Sequence, residues 1–350
     1  MSNVIHPGDT TMISQSRRGF VKAAIAAPVA LCASIPGGVL AAPVYSLKLG
    51  TDAPVGHPVN NAMNAAAAAI KKATNGQVQL QVFANNQLGS STDMLGQVRA
   101  GGIQLLSIPT SILSALVPAA GICGIGFAFH DYDTVWKAMD GDLGAYIRSQ
   151  IAKSNLYTID RIMDNGFRQI STSTRPVKEV ADMKGLKIRV PVSPLWTSLF
   201  SALQAAPTSI NFSELYSALQ TRIVDGQENA LPIINAGRLY EVQKYISVTN
   251  HMWDGYWIVG NATALSALPA DLRATVEQQL RNAAVSQRTE IASLNSSLQA
   301  QLQSSGMVFN NVNTGPFRES LVKAGFYDTW KSKFGKEAWG TLERYSGTLS

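Results

Sequence analysis

Hydrophobic and polar residues alternate between two patterns along the chain from residue 45 onward. YSLKLGTDAP at 45–54 alternates the two kinds of residue and then breaks at a turn, which predicts a strand. The stretch 57–76 predicts a helix that has Pro58 in its first turn and ends at Asn75 and Gly76. The next three segments predict a strand, a helix and a strand: QVQLQVF at 77–83, STDMLGQVRAG at 91–101 and IQLLSI at 103–108. This order favours a parallel or mixed sheet covered by helices.

The same patterns return in the second half of the chain. Four segments predict strands, namely LYTIDRIM at 156–163, GFRQISTS at 166–173, LKIRVP at 186–191 and PTSI at 207–210. Two predict helices, SPLWTSLFSALQ at 193–204 and FSELYSALQTR at 212–222, the latter entered through Ser213 or Asn211. Residues 268–304 predict one or two long helices, which can brace two lobes. Because no low-complexity linker separates the halves, we expect an α/β fold of two lobes between which the chain crosses more than once.

The first 41 residues have the pattern of an export signal. A positively charged region is followed by a weakly apolar stretch and by small residues that offer cleavage near Ala41. SRRGFVK at 16–22 resembles the twin-arginine export signal, whose pathway carries folded chains. We therefore expect a periplasmic protein from which residues 1–41 are removed. The alternatives are an ordinary secretory leader, a lipoprotein cleaved at Cys32 and a membrane anchor, although prolines interrupt the apolar segment that an anchor needs.

The composition is that of a globular protein without a nucleic-acid partner. Apolar residues make up 46% and charged residues 15% of the 350 residues. The formal charge is +6, of which the first 41 residues contribute +2 through three basic residues and one acidic residue. The remaining charge is spread thinly, without a basic run, which argues against nucleic acid. One of the two cysteines, Cys32, lies in the predicted signal, so Cys123 has no partner for an intrachain disulfide.

The residue types that carry catalysis are sparse. His57, His130 and His251 stand without a cysteine or carboxylate at metal-ligand spacing. GICGIG at 121–126 lacks the glycine spacing of a dinucleotide site, and neither a phosphate loop nor a nucleophile elbow is present. We therefore predict no metal, no cofactor and no enzymatic activity, with an exported enzyme kept as an alternative.

Two arginines lie within strand-like apolar segments, where a guanidinium is costly unless an anion or a carbonyl satisfies it. These are Arg168 and Arg189. A carboxylate ligand meets that need, because the planar fork of arginine holds both of its oxygens by parallel hydrogen bonds. Salt bridges to Asp164, Asp182 or Glu228 of the protein itself are the alternative.

Three segments resemble one family of binding proteins. They are NGFRQISTSTRPVKEVADMKGLKIRVP at 165–191, APTSINFSELYSALQTRIVDGQENALPII at 206–234 and LYEVQKYISVTNH at 239–251. They resemble the DctP-type solute-binding proteins of tripartite ATP-independent periplasmic (TRAP) transporters, and the resemblance extends over essentially the whole chain after the signal. It implies delivery of a ligand to a small and a large integral membrane subunit. A ligand-presenting protein of a sensor system is the alternative within the same class.

The resemblance also implies an architecture. We expect a two-lobed periplasmic-binding-protein-like fold with mixed sheets, interleaved chain crossings and a long helix spanning both lobes. Lobe I would comprise residues 42–165 with about 255–294, and lobe II about 166–254 with 295–350. We expect the protein to be a monomer.

Site residues follow from matching the family motifs position by position. The resemblance implies that Arg189 forms the salt bridge to the ligand carboxylate and that Arg168 is a second contact. It implies that Asn229 donates a hydrogen bond to the same group and that Phe212 packs on the ligand body. Asp52 occupies the place from which relatives reach the ligand from the other lobe, and capping of its own turn is an equal alternative.

Glu228, beside Asn229, is expected to be a structural or hinge partner. The ligand itself is expected to be a small monocarboxylate, a 2-oxo or 2-hydroxy acid with an aromatic or apolar body. That preference rests on four aromatic residues whose rings are of the kind that flank such acids, Trp196, Trp253, Tyr256 and Trp257. Sialic acid is not expected, because SIPTSILSAL at 107–116 lacks the charged residues that sialic-acid binders offer there.

Overall fold

The computed structural model describes residues 45–349 of the chain. The predicted export signal and the cleavage near Ala41 lie outside the described residues. Within residues 45–349, no helix combines the length and hydrophobicity needed to cross a membrane.

Strands and helices are interspersed along the described part of the chain, which ends in three consecutive helices. The strands are β1 (Tyr45–Thr51), β2 (Val78–Phe83), β3 (Leu105–Pro109), β4 (Leu156–Thr158), β5 (Met163–Thr172), β6 (Lys187–Val190), β7 (Ala206–Ser209), β8 (Gly226–Ala230), β9 (Tyr245–Val248), β10 (Trp253–Asn261) and β11 (Val308–Asn311). The helices are α1 (Pro58–Ala73), α2 (Ser91–Ala100), α3 (Thr110–Leu113), α4 (Tyr132–Asp140), α5 (Asp142–Ala152), α6 (Pro194–Ala202), α7 (Phe212–Gln220), α8 (Leu231–Ala236), α9 (Ala262–Ser266), α10 (Ala270–Ser304), α11 (Gly315–Lys323), α12 (Phe326–Phe334) and α13 (Lys336–Ser346).

Local sequence signals explain where the first helices begin and end. Helix α1 starts at Pro58, and Nδ1 of the preceding His57 accepts a hydrogen bond from the backbone N–H of Val59 at 3.3 Å. The chain leaves this helix through Asn75 and Gly76, which adopt φ values of 49° and 79°. Both ends confirm the boundaries predicted from the sequence.

The strands form one mixed sheet with the order β2-β1-β3-β10-β5-β8-β6-β7. Strand β1 is parallel to β2 and β3, whereas β10 is antiparallel to β3 and β5. Strand β5 is antiparallel to β8, which in turn is parallel to β6. Strands β4, β9 and β11 attach beside this path. The predicted α/β class with a mixed sheet is confirmed.

Strand β5 connects the two halves of the sheet. Its first part, Met163–Phe167, pairs with β10, and its second part, Arg168–Thr172, pairs with β8 and β9. The pairing with β10 is irregular between Asp254 and Gly255, and Gly166 has φ +121°. A ladder that changes partner within one strand needs such a break. The sequence segments 156–163 and 166–173 were expected as separate strands, but residues 163–165 belong to β5.

Helix α10 is a single helix of 35 residues. It packs on α1, α8 and β5. Its Gln287 is fully buried, accepts a hydrogen bond from the backbone N–H of Asp164 and donates one to the carbonyl of Asp164, each at 2.8 Å. The long brace expected from residues 268–304 is therefore clamped to the strand that joins the halves of the sheet.

The glycine-rich segment GICGIG serves packing. Residues Pro118–Gly124 form a 3₁₀ helix. A Cβ atom at Gly124 would lie 2.5 Å from the ring of Trp196, and one at Gly126 would lie 2.5 Å from Leu199. These glycines let α6 approach closely.

We predict that Gln287→Leu lowers the free energy of unfolding by about 2 kcal/mol or more, because two buried backbone groups of β5 lose their partners. Urea unfolding measures the change. The control is Gln278→Leu, at an exposed position of the same helix. Equal stability of the two variants would contradict the clamp.

Candidate ligand-binding site

A cavity opens where β1, β3, β5, β6, β8 and β10 end or cross. The space between its walls, including its mouth, is about 330 Å³. Its lining is mostly polar and comprises Asp52, Ser91, Pro109, Ser111, Ile112, Asn165, Arg168, Arg189, Pro191, Phe212, Asn229, Ile233, Asp254 and Tyr256. Of the seven site residues expected from the sequence, five line this cavity.

Arg189 is a cavity cation that has no acidic partner in the part of the chain that the structure describes. It lies on β6, is 2% exposed, and its Nε donates to the carbonyl of Ile210 at 2.8 Å. Within residues 45–349, its two Nη atoms form no hydrogen bond and no carboxylate lies within salt-bridge distance. Burial lowers the pKa of Arg189 to about 10, and the charge of Arg168 acts in the same direction. The group therefore stays positive at neutral pH.

Arg168, in contrast, is engaged by the protein. Its Nε and Nη2 donate to the two carboxylate oxygens of Glu228 at 2.5 and 2.8 Å, and its Nη1 donates to Asp254 at 3.1 Å. All three side chains are at most 3% exposed. The salt-bridge alternative raised from the sequence thus holds for Arg168 and not for Arg189. The structure leaves Arg168 in the cavity wall, with its charge already balanced.

Glu228 lies at the centre of this network. Nε2 of His251 lies 3.2 Å from the carboxylate oxygen that also binds Nε of Arg168. Burial alone would raise the pKa of Glu228, but Arg168 and the hydrogen bond from His251 outweigh it and lower the pKa. Glu228 is absent from the cavity lining, which fits the structural role expected for it.

Asn229 and Phe212 line the cavity close to the two arginines. Asn229 follows Glu228 on β8, and its Nδ2 donates to Gln227 at 2.8 Å. Phe212 is the first residue of α7, two positions after the carbonyl that accepts from Arg189. Helix α7 begins after Asn211, one of the two entry residues predicted.

Asp52 faces the cavity from the end of β1. Its Oδ2 accepts a hydrogen bond from Ser91 at 2.6 Å, and its Oδ1 accepts one from Tyr256 at 3.1 Å. Burial raises the pKa of Asp52, while these two hydrogen bonds act to lower it. The side chain does not cap its own turn, which was the alternative considered from the sequence.

Trp196 and Trp253 lie in the core beside the site. Trp253 donates through Nε1 to Asp164 at 2.9 Å and meets Trp136 edge-on. Trp196 packs against Gly124 and is fully buried. Neither side chain lines the cavity, so the structure does not bring these two expected ligand contacts into the site.

Four polar lining residues were missed from the sequence: Ser91, Ser111, Asn165 and Asp254. A signal existed for Asp254, because the period of two along HMWDGYW places Asp254 and Tyr256 on one face of a strand. The segment was considered only for its aromatic residues. Asn165 and the two serines carry no comparable pattern.

The chain crossing between the sheet halves, and the buried arginine that has no acidic partner among the described residues, are features expected of a two-lobed solute-binding protein. Residues 49–325 match the family described as "Bacterial extracellular solute-binding protein, family 7", DctP. The chain belongs to this family, whose members bind small organic acids and work with TRAP membrane subunits. The relatives named below are described as solute-binding proteins.

Three relatives illustrate the similarity. A solute-binding protein of Roseobacter denitrificans is 30% identical over 316 residues, covering 88% of this chain and 94% of that protein. A sialic acid-binding periplasmic protein of Vibrio cholerae is 28% identical, with coverage of 83% and 90%. The structure of a TRAP periplasmic solute-binding protein of a Polaromonas species, bound to D-erythronate, has a TM-score of 0.82 at 26% identity, with coverage of 87% and 99%.

We predict that Glu228→Gln lowers the free energy of unfolding by about 3 kcal/mol, because it leaves Arg168 buried with a weakened partner set. The matched control is Glu241→Gln, which breaks the exposed pair with Arg238 and should change the free energy of unfolding far less, because solvent screens that pair. Chemical unfolding compares the two. Similar small losses would show that the buried network is not a structural requirement.

Proposed function

We propose that this protein captures a small organic acid in the periplasm and delivers it to the membrane subunits of a TRAP transporter. One observation carries the proposal: a buried arginine, Arg189, that points into the cavity without an acidic partner. A buried cation favours an anion that fills its remaining hydrogen-bond sites. A carboxylate meets this need by two parallel bonds from the Nη atoms.

The other lining residues support the same geometry. Asn229 supplies a neutral donor beside Arg189, and Phe212 supplies an apolar face for the carbon chain. Arg168 lines the same cavity, but Glu228 and Asp254 already balance its charge. We therefore assign Arg189 as the anchor and Arg168 as a second contact in the cavity wall.

Closure of two lobes completes the proposed mechanism. We propose the lobes as residues 42–165 with about 255–294, and about 166–254 with 295–350. The hydrogen bonds that would then cross between them include those from Thr92 to Asn211 at 3.3 Å and between Ser114 and Ser193 at 3.2 Å. A ligand that contacts both lobes stabilises the closed state by its higher affinity for that state. The closed shape is what a membrane partner recognises.

The proposed ligand is a 2-hydroxy or 2-oxo monocarboxylate. We do not extend the proposal to an aromatic body, because Trp196 and Trp253 lie outside the cavity lining. The Polaromonas relative bound D-erythronate, a hydroxy acid. A sensor-linked binding protein would use the same site, and the identity of the membrane partner separates the two roles. We further propose twin-arginine export, removal of residues 1–41 and a monomeric state.

We predict that Arg189→Ala abolishes ligand-induced stabilisation. A ligand at 100 times its Kd adds about 2.7 kcal/mol to the wild-type free energy of unfolding. A thermal-shift screen of organic acids measures this effect. The control is Arg175→Ala, which removes an arginine that is 53% exposed and pairs with Asp182. If Arg189→Ala responded to the same acids as the wild type, the anchor would be misplaced.

A further inference from the structure

The hydroxyl groups that line the cavity already donate their hydrogens to carboxylates of the protein. Ser91 and Tyr256 each donate to Asp52, at 2.6 and 3.1 Å. Ser111 donates to Asp254 at 3.2 Å. A hydroxyl carries one hydrogen and two lone pairs, so these three side chains offer only acceptor sites to a ligand.

Asn165 adds a further acceptor. Its Nδ2 donates to Asp254 at 3.4 Å, which fixes the orientation of the amide. Its Oδ1 is buried and has no hydrogen-bond partner among the described residues. A buried acceptor without a donor is costly. We name Asp52, Ser91, Ser111, Asn165 and Tyr256 the acceptor wall.

The acceptor wall also carries an unpaired negative charge. Asp254 behind it is paired with Arg168 at 3.1 Å, whereas Asp52 has no salt bridge among the described residues. A second carboxylate placed here would face the carboxylate of Asp52 and the lone pairs of the hydroxyls. An apolar chain would leave the acceptors, and Oδ1 of Asn165 in particular, without donors.

We propose that the acceptor wall makes this protein selective for monocarboxylates that carry several hydroxyl groups, and that Asp52 is the residue that rejects dicarboxylates. The inference rests on the proposed function, in which Arg189 holds the one carboxylate. Several hydroxyls fit better than a single ammonium group, because the acceptors belong to five side chains, one just after β1 and the others on α2, α3, β5 and β10.

Matched acids of equal length test the selectivity in the wild-type protein. Isothermal titration calorimetry compares D-erythronate with butanoate, succinate and 4-aminobutanoate, and D-gluconate with hexanoate and adipate. We expect the hydroxy acid of at least one length to bind about 100-fold more tightly than its unsubstituted and dicarboxylate counterparts, since several hydrogen bonds are lost in those. Equal affinity for succinate or butanoate would contradict the selectivity proposed for the acceptor wall, but it would leave the proposed capture of carboxylates by Arg189 unaffected. Tighter binding of 4-aminobutanoate than of D-erythronate would overturn it in favour of an ammonium ligand.

Asp52→Asn tests the proposed residue. The amide removes the charge and adds donors, so we expect the preference for the hydroxy acid over the dicarboxylate to shrink at least about tenfold. Asp133→Asn, an exposed residue of α4, is the control for the loss of one charge and should keep the wild-type ratio. An unchanged ratio in a folded Asp52→Asn variant would overturn the assignment. Failure of every acid to bind the wild type would instead reject both this inference and the proposed function.

Discussion

The pairing of Arg168 with Glu228 and Asp254 decides what the site can do. Two guanidinium groups are buried in one cavity, and each needs a negative or carbonyl partner because an unpaired buried charge is costly. Both acidic side chains bind Arg168, while among residues 45–349 Arg189 has only the carbonyl of Ile210. The protein therefore balances one arginine internally, and in the proposed function the ligand supplies the anion for the other. If both arginines were paired, the proposed anchor would be lost.

Strand pairing explains why these groups meet. Arg168 lies opposite Ala230 of β8, so Glu228 is its diagonal neighbour on that side. Gly166 lies opposite Asp254 of β10, which makes Asp254 the diagonal neighbour of Arg168 on the other side. The network thus forms where β5 changes partner between the two halves of the sheet. Helix α10 holds this strand in place through Gln287.

The sequence predicts the secondary-structure elements well, because they depend on local signals. Strand alternation, the entry at Pro58 and the exit at Asn75 are read within a few residues of chain. The family motif also predicts that Arg189 lies in the cavity wall, whereas its role as an anchor stays a proposal. The partner of Arg168 is different, because it depends on the register between β5 and β8. Trp196 and Trp253 lie in the core rather than in the cavity lining, and the sequence does not show this. Aromatic character is visible in a sequence, but packing decides between core and cavity.

Burial links ligand choice to closure. It lowers the pKa of Arg189 and raises that of Asp52, so a dry cavity disfavours the charged form of each group. When the proposed lobes separate, water solvates both groups. When the lobes close, a carboxylate must serve Arg189 and hydroxyl donors must serve the acceptor wall. An apolar acid would satisfy only Arg189, and the second carboxylate of a dicarboxylate would be repelled by Asp52 of the acceptor wall. In the proposed mechanism, ligand selection and lobe closure depend on the same free energy of binding. Only a ligand that binds both Arg189 and the acceptor wall stabilises the closed state.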